Sequence, residues 1–226
     1  MTGEHSSSQY NHDLEAIRSQ VLLMGGLVEN HFQDAMSCYR TGNSEHAAAV
    51  VKSDEEVNRL EVMLDDMCSH LIVKRQPAAN DLRTVMATGK VITDLERIGD
   101  ESTKIARIAQ EMMHKNRSNA MFSGYETVRV LANSVGQMLH QSLDAFARHD
   151  DAKAVQLIAF DEIIDSDFRS IMRNLITFMM EDPGTISFAL DALWVAKAIE
   201  RIGDHAKNIA EHTIYIVEGR DIRHSD

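Results

Sequence analysis

The feature that most restricts what this chain can fold into is that it is written twice. Glu-Arg-Ile-Gly-Asp occurs at Glu96–Asp100 and again at Glu200–Asp204, a shift of 104 residues, and the same shift brings Ile105 onto Ile209 and Ala106 onto Ala210. The chain has only two prolines, Pro77 and Pro183, and each stands just before the segment that carries the motif. Proline interrupts a helix because it lacks an N–H and clashes with the preceding turn, so the two halves turn at equivalent points.

Helical spacing fills the rest of each half. Leu14, Ile17, Val21, Leu22, Val28, Phe32, Ala35 and Met36 recur at intervals of three and four, and Gly42-Asn43 closes that run. A second run over 44–74 carries Val50, Val51, Val57, Leu60, Leu64, Met67, Leu71 and Ile72 on one stripe. After Pro77, Asn80 or Asp81 is the expected N-cap of a third helix reaching about Met113. Three further helices are expected at about 125–147, 151–180 and 185–217, with Gly219 as a C-terminal stop.

The expected fold is therefore all-α: two tandem, pseudo-symmetric, antiparallel three-helix bundles. Residues 1–9 read as a disordered tail, 10–114 as the first repeat, 115–124 as a polar linker, 125–219 as the second repeat and 220–226 as a tail. Aromatic residues make up 5% of the chain and apolar residues 44%, a balance that suits packed helices over β-structure. Helices of about 30 residues span roughly 45 Å, so each bundle should be elongated.

Charge narrows the partners. With 23 basic against 35 acidic residues the formal net charge is −12, and no concealed basic patch is visible in the sequence, so nucleic acid is not an expected partner. The longest apolar stretch, Val21–Val28, is broken by Gly25 and Gly26 and is far shorter than a membrane span. No signal peptide is visible, and Cys38 and Cys68 lie within apolar helical patterns as small buried hydrophobes, so a cytoplasmic location is expected.

The repeated acidic motif carries the chemistry. Glu96 and Asp100 are spaced i,i+4 on one helix face, as are Glu200 and Asp204. On the preceding helix Asp54 and Asn58 correspond to Asp161 and Asp165. The midpoint of Asp54/Asn58 and that of Glu96/Asp100 are equally distant from Pro77, and the second pair of midpoints centres on Asp182–Pro183. In antiparallel hairpins these faces meet at one height, which gathers three carboxylates and an amide in the first copy and four carboxylates in the second. Such clusters repel themselves without a cation. Oxygen-only donors favour hard cations such as magnesium, calcium, manganese or iron, and carboxylates can bridge two ions.

Glu61 and Asp65 repeat the spacing, but their counterparts are Phe168 and Met172. Gly99 and Gly203 stand in mid-helix, where close helix approach is the simplest reason for a missing side chain. His205 and His212 lie near the second motif, yet their counterparts Glu101 and Ile108 do not repeat the chemistry, so they are left outside the site.

Arg75-Gln-Pro77-Ala-Ala-Asn-Asp81-Leu-Arg83, Asp94-Leu-Glu-Arg-Ile-Gly-Asp-Glu101 and Glu200-Arg-Ile-Gly-Asp-His-Ala-Lys-Asn-Ile-Ala-Glu211 together resemble the PhoU family of bacterial phosphate-transport regulators. The resemblance runs from Tyr10 to Gly219 and implies two tandem three-helix bundles. Some members hold iron or zinc clusters on paired Glu/Asp-x-x-x-Asp motifs; by resemblance the metal residues here are Asp54, Glu96 and Asp100 in the first copy and Asp161, Asp165, Glu200 and Asp204 in the second. Asn58 departs from the acidic pattern. Its amide can coordinate but brings no charge, so the second site is expected to bind cations more tightly.

The resemblance further implies a cytoplasmic, non-catalytic negative regulator of the phosphate-starvation response and of phosphate uptake. Its partners would be the ATPase subunit of the phosphate ABC importer and a sensor histidine kinase, with membrane contact only through them, and the protein would be a homodimer. Two alternatives compete. A metal-free helical scaffold would leave the acidic faces solvated. A di-metal carboxylate enzyme usually needs two Glu-x-x-His motifs, and only Glu111-x-x-His114 occurs, with Tyr215 and Glu218 at the equivalent positions.

Overall fold

The computed structural model describes residues 2–114 and 118–221, with side chains placed for 9–114 and 124–221. Six helices follow in order: α1 (Thr2–Thr41), α2 (Ser44–Arg75), α3 (Ala79–His114), α4 (Ser118–Arg148), α5 (Asp151–Glu181) and α6 (Ile186–Glu218). A 3-10 turn, Pro183–Thr185, joins the last two. No strand occurs among the described residues.

Local chemistry explains the helix ends. Gly42 takes φ +67, its N–H reaches the Cys38 carbonyl, and Asn43 then caps α2 by accepting from the His46 N–H at 2.9 Å. Asp150 caps α5 in the same way, accepting from Lys153 N–H at 2.8 Å. Gly219 closes α6 in the left-handed region at φ 77, its N–H bonded to the Tyr215 carbonyl. At the first proline turn Gln76 adopts φ 48, donating to the Ile72 carbonyl.

Three boundaries differ from the sequence expectation. Residues 2–9, expected as a disordered tail, belong to α1, and Ser118–Gly124, expected as linker, form the start of α4. Residues 115–117 of that linker, and 222–226 of the C-terminal tail, lie outside the described residues. Polar composition alone misleads in these segments: serine and asparagine are neutral-to-weak helix formers, and a long helix already nucleated extends through them. Helix α3 begins at Ala79, ahead of the Asn80 or Asp81 cap expected for it.

Within each half the helices form the expected antiparallel triple, and the halves join along α3 and α6. Helix α3 packs on α1, α2 and α6, helix α6 on α3, α4 and α5, and α1 packs on α4, while α2 and α5 flank the assembly without touching among the described residues. One apolar core runs through all six helices, from Ile17 and Met24 through Leu64, Ile98 and Ile105 to Leu131, Val195 and Ile209. Each such side chain contributes roughly 1.5–3 kcal/mol on leaving water. Cys38 and Cys68 are buried free thiols, and burial, followed by the charge of a neighbouring aspartate, pushes each up to about 11.

Helices α3 and α6 run antiparallel around a pseudo-twofold axis. Asp94, five residues before Gly99, bonds to Asn208, five after Gly203; Glu101, two after Gly99, bonds to Arg201, two before Gly203. The two glycines therefore lie level across the axis. Each faces its own hairpin partner: a Cβ on Gly99 would come within 3.2 Å of Val57 and 3.3 Å of the Asp54 carboxylate, and one on Gly203 within 3.3 Å of Ile164. Close approach is thus the reason for these glycines.

Gly89, also in α3, has open space where a Cβ would point. Gly89→Ala is expected to raise unfolding free energy by about 0.5–1 kcal/mol through helix propensity alone. Gly99→Ala should show no such gain, because Val57 and Asp54 must shift. Equal stabilisation of both variants in urea denaturation would refute the packing explanation.

Candidate functional site

The hairpins bring the acidic faces together at one height, as the spacing about the prolines requires. In the first copy α2 contributes Asp54, which is 9% exposed, and α3 contributes Glu96 and Asp100. Burial pushes the Asp54 carboxyl up; the His31 ring counteracts it, the Asp100 charge adds to it, and the Thr103 hydroxyl and Arg107 oppose it. Glu96 is also pushed up, first by burial and then by Asp100, with Arg97 opposing and Glu61 and Asp54 adding. Asp54 Oδ1 and Glu96 Oε2 are buried without a hydrogen-bond partner.

Asn58 is exposed on the same helix as Asp54, and among the described residues no hydrogen bond ties it to the cluster. Glu61 does join. Its carboxyl is pushed up by burial, then by Asp65, with Arg97 opposing and Asp100 adding. The absence of an acidic counterpart in the second copy argued against Glu61; the signal that would have found it is the i,i+7 spacing from Asp54, two turns along one face. Arg97 bridges the rim, 3.4 Å from Glu96 and 3.5 Å from Asp100.

The second copy is tighter. Ligand oxygens of Asp165, Glu200 and Asp204 all lie within 4.8 Å of one another. Asp161, 5% exposed, completes the four predicted residues: Lys207 Nζ donates to its Oδ2 at 2.8 Å, and its Oδ1 is buried without a partner. Lys197 donates to Glu200 on the other flank and lies over the Phe168 ring, 5.4 Å from the centroid. The Asp204 carboxyl is pushed up to about 6 by burial, then by the charges of Glu200 and Asp161, with Lys197 opposing and Asp165 adding.

The residues fit a hard cation. The donors are all oxygens, three converge, and a fourth carboxylate, Asp161, has a buried oxygen without a hydrogen bond. Asp165, Glu200 and Asp204 would hold such an ion. A cation would supply the positive charge that the clustered carboxylates lack. The copies differ in what they already contain, since Lys197 and Lys207 of the second correspond to Thr93 and Thr103 in the first.

His205 and His212 serve a different task. His205 Nδ1 lies 2.8 Å from Asp94 Oδ1 and His212 Nε2 3.2 Å from Oδ2, while Asn208 donates to Oδ1 at 3.0 Å. Burial acts to raise the Asp94 carboxyl, but these three partners outweigh it and hold it below the usual range. Glu111 and His114, the lone Glu-x-x-His, are exposed near the end of α3.

Because Asp204 has a folded pKa near 6, above the roughly 3.9 of an unfolded aspartate, its ionised form costs stability, and the cost grows as pH rises between those values. In chelator-treated protein Asp204→Asn should raise the urea midpoint at about pH 7.5, and that advantage should shrink as pH falls below about 6 and be nearly gone at about pH 3.5. An advantage that grew on acidification would contradict the assigned electrostatics.

The model of the PhoU domain family matches residues 21–109 and 128–213, one segment in each repeat. The chain is 44% identical over 220 residues to the phosphate-specific transport system accessory protein PhoU homolog of Pseudomonas putida, covering 97% of this chain and 85% of the relative. It is 44% identical over 221 residues to the phosphate-specific transport system accessory protein PhoU of Escherichia coli K12, covering 98% of this chain and 90% of that one. The crystal structure of PhoU from Pseudomonas aeruginosa matches with a TM-score of 0.88 at 41% identity, covering 93% of this chain and 100% of that chain. The fold alone is shared with the phosphate transport system regulatory protein PhoU from Streptococcus pneumoniae, TM-score 0.85 at 24% identity, over 94% of this chain and 99% of that one. With both repeats matched and the alignments running nearly end to end, the chain belongs to the PhoU family.

Proposed function

We propose that this protein is an accessory regulator of phosphate transport: a cytoplasmic, non-catalytic adaptor that restrains the phosphate-starvation response and phosphate uptake. The observation that carries this reading is the 44% identity, over nearly the whole of this chain, with relatives named as phosphate-specific transport system accessory proteins. Its partners in this reading are the ATPase subunit of the phosphate ABC importer and a sensor histidine kinase, and it acts as a homodimer. No helix among the described residues is long and apolar enough to cross a membrane, so contact with the membrane would run through those partners. Exposed apolar side chains at the hairpin ends, Leu82 and Met86 on α3 and Ile186 and Leu190 on α6, offer faces of the kind that partners cover.

Deleting the gene and measuring alkaline phosphatase in high phosphate tests the regulator directly. Constitutive expression is expected; unchanged repression would refute the role.

In the same reading the acidic clusters are metal sites and the second is the stronger, because three of its carboxylates already converge. The ions are divalent or trivalent: iron or zinc clusters by family resemblance, with magnesium or manganese equally suited to the oxygen donors. Metal titration should therefore lose its tighter phase in Asp204→Ala and keep it in Asp100→Ala; the reverse pattern would overturn the ranking. One observation favours a metal-free scaffold instead: Lys207 and Lys197 neutralise Asp161 and Glu200 from within the chain. Metal analysis of protein purified without chelator or affinity-column metal separates the two readings, since a scaffold carries no stoichiometric ion.

A further inference from the structure

The pseudo-twofold axis between α3 and α6 relates two places that should be alike and are not. On one side Asp94 reaches from α3 toward α6 and is held by His205, Asn208 and His212. On the other side the equivalents of those three are Glu101, Lys104 and Ile108, and the equivalent of Asp94 is Ala198, which is 4% exposed and has no carboxylate to offer. Between them lies an open cavity of about 390 Å³ with Ala198 in its wall.

The cavity reverses the sign of the surrounding protein. Lys104 and Arg107 line it from α3, Lys197 and Arg201 from α6, with Glu101 as the one carboxylate in the wall, while the Lys197 ammonium donates to Glu200 of the second acidic cluster. The chain as a whole carries −12. Glu101 is already shared between Lys104 at 2.6 Å and Arg201 at 3.2 Å, and the Arg107 charge also acts on the Asp54 carboxyl. No basic patch is visible in the sequence because these cations are spread over two helices in different halves of the chain and come together only when α3 packs on α6.

We propose that this cavity is the binding site for a small phosphate-bearing anion, seated where the pseudo-equivalent position holds the Asp94 carboxylate. Two guanidinium groups and the Lys104 ammonium around one space suit a multiply charged tetrahedral anion better than a single carboxylate, because each phosphate oxygen accepts its own charge-assisted hydrogen bonds. The volume lies in the range of small-ligand pockets. Trp194, 64% exposed in the cavity wall, offers an indole face to any planar group attached to the phosphate. The ligand is therefore free phosphate or a nucleotide, two sources of one chemistry. The site does not depend on the regulatory reading, and binding by the purified protein is measured apart from any genetic phenotype.

Trp194 is the only tryptophan in the chain, so its emission reports this cavity alone. In chelator-treated full-length protein, titration with inorganic phosphate and separately with AMP should give a saturable change with at least one of them. Equal responses assign the site to the phosphate group alone, and a response to AMP only assigns it to a nucleotide. Arg107→Ala should weaken binding by about tenfold or more, the loss of one charge-assisted contact. Ala198→Asp, which supplies from within the chain the carboxylate that Asp94 supplies across the axis, should abolish it. Thermal unfolding checks that both variants are folded; Arg107, being exposed, keeps the test valid if Ala198→Asp is not. Absence of a saturable response to either ligand at millimolar concentration, or binding unchanged in Arg107→Ala, would overturn the proposal.

Discussion

A carboxylate taken out of water must be compensated, and the way Asp94 is compensated ties the two halves of this protein together. Asp94 belongs to the first repeat, while His205, Asn208 and His212 all come from the second. Removing one partner of such a group leaves an uncompensated buried charge, which typically costs several kcal/mol. The polar cluster lies at the seam where α3 packs on α6, so apolar burial supplies the attraction and Asp94 sets the register. Everything placed relative to that register follows, including the level of Gly99 against Gly203 and the distance between the two acidic clusters.

The acidic clusters show the opposite principle. Their carboxylates are brought together by the hairpins with fewer compensating partners than their burial demands, and the raised protonation tendencies of Asp54, Glu96 and Asp204 express that strain. The copies relieve it differently. The second recruits Lys197 and Lys207 and keeps three oxygens converging, whereas the first places threonines at those positions and leaves Asp54 Oδ1 and Glu96 Oε2 without a hydrogen bond. The two sites share an ancestry of spacing while differing in electrostatics.

Much of this was legible before any coordinates. Two prolines and a repeated pentapeptide located the turns, and equal counting from the turns placed Asp54 opposite Glu96 and Asp161 opposite Glu200, because antiparallel hairpins convert sequence distance into height. The same arithmetic is silent on contacts between repeats. It could not place Asp94 beside His205, nor gather Arg107 with Arg201, since no turn of known length connects α3 to α6. Nor could composition mark the start of α4 at Ser118, where polar residues continue a helix whose stability comes from packing farther along. Glu61 was missed for a related reason: a comparison that demands the same residue in both copies discards what only one copy has.

The pseudo-twofold axis between α3 and α6 also has a consequence for what a fused duplication can do that an assembly of separate identical units cannot. Two copies of a half-length chain related by a true dyad must present the same residue on both sides of the interface. A substitution such as aspartate for alanine would then appear twice, and either both sides would be closed or both would be open. Once the copies share one chain they are free to drift apart, and here one side of the seam carries Asp94 as a permanent clasp while the other, at Ala198, leaves a hollow whose charged lining is mostly cationic. Covalent linkage thus lets a single interface be locked at one end and receptive at the other.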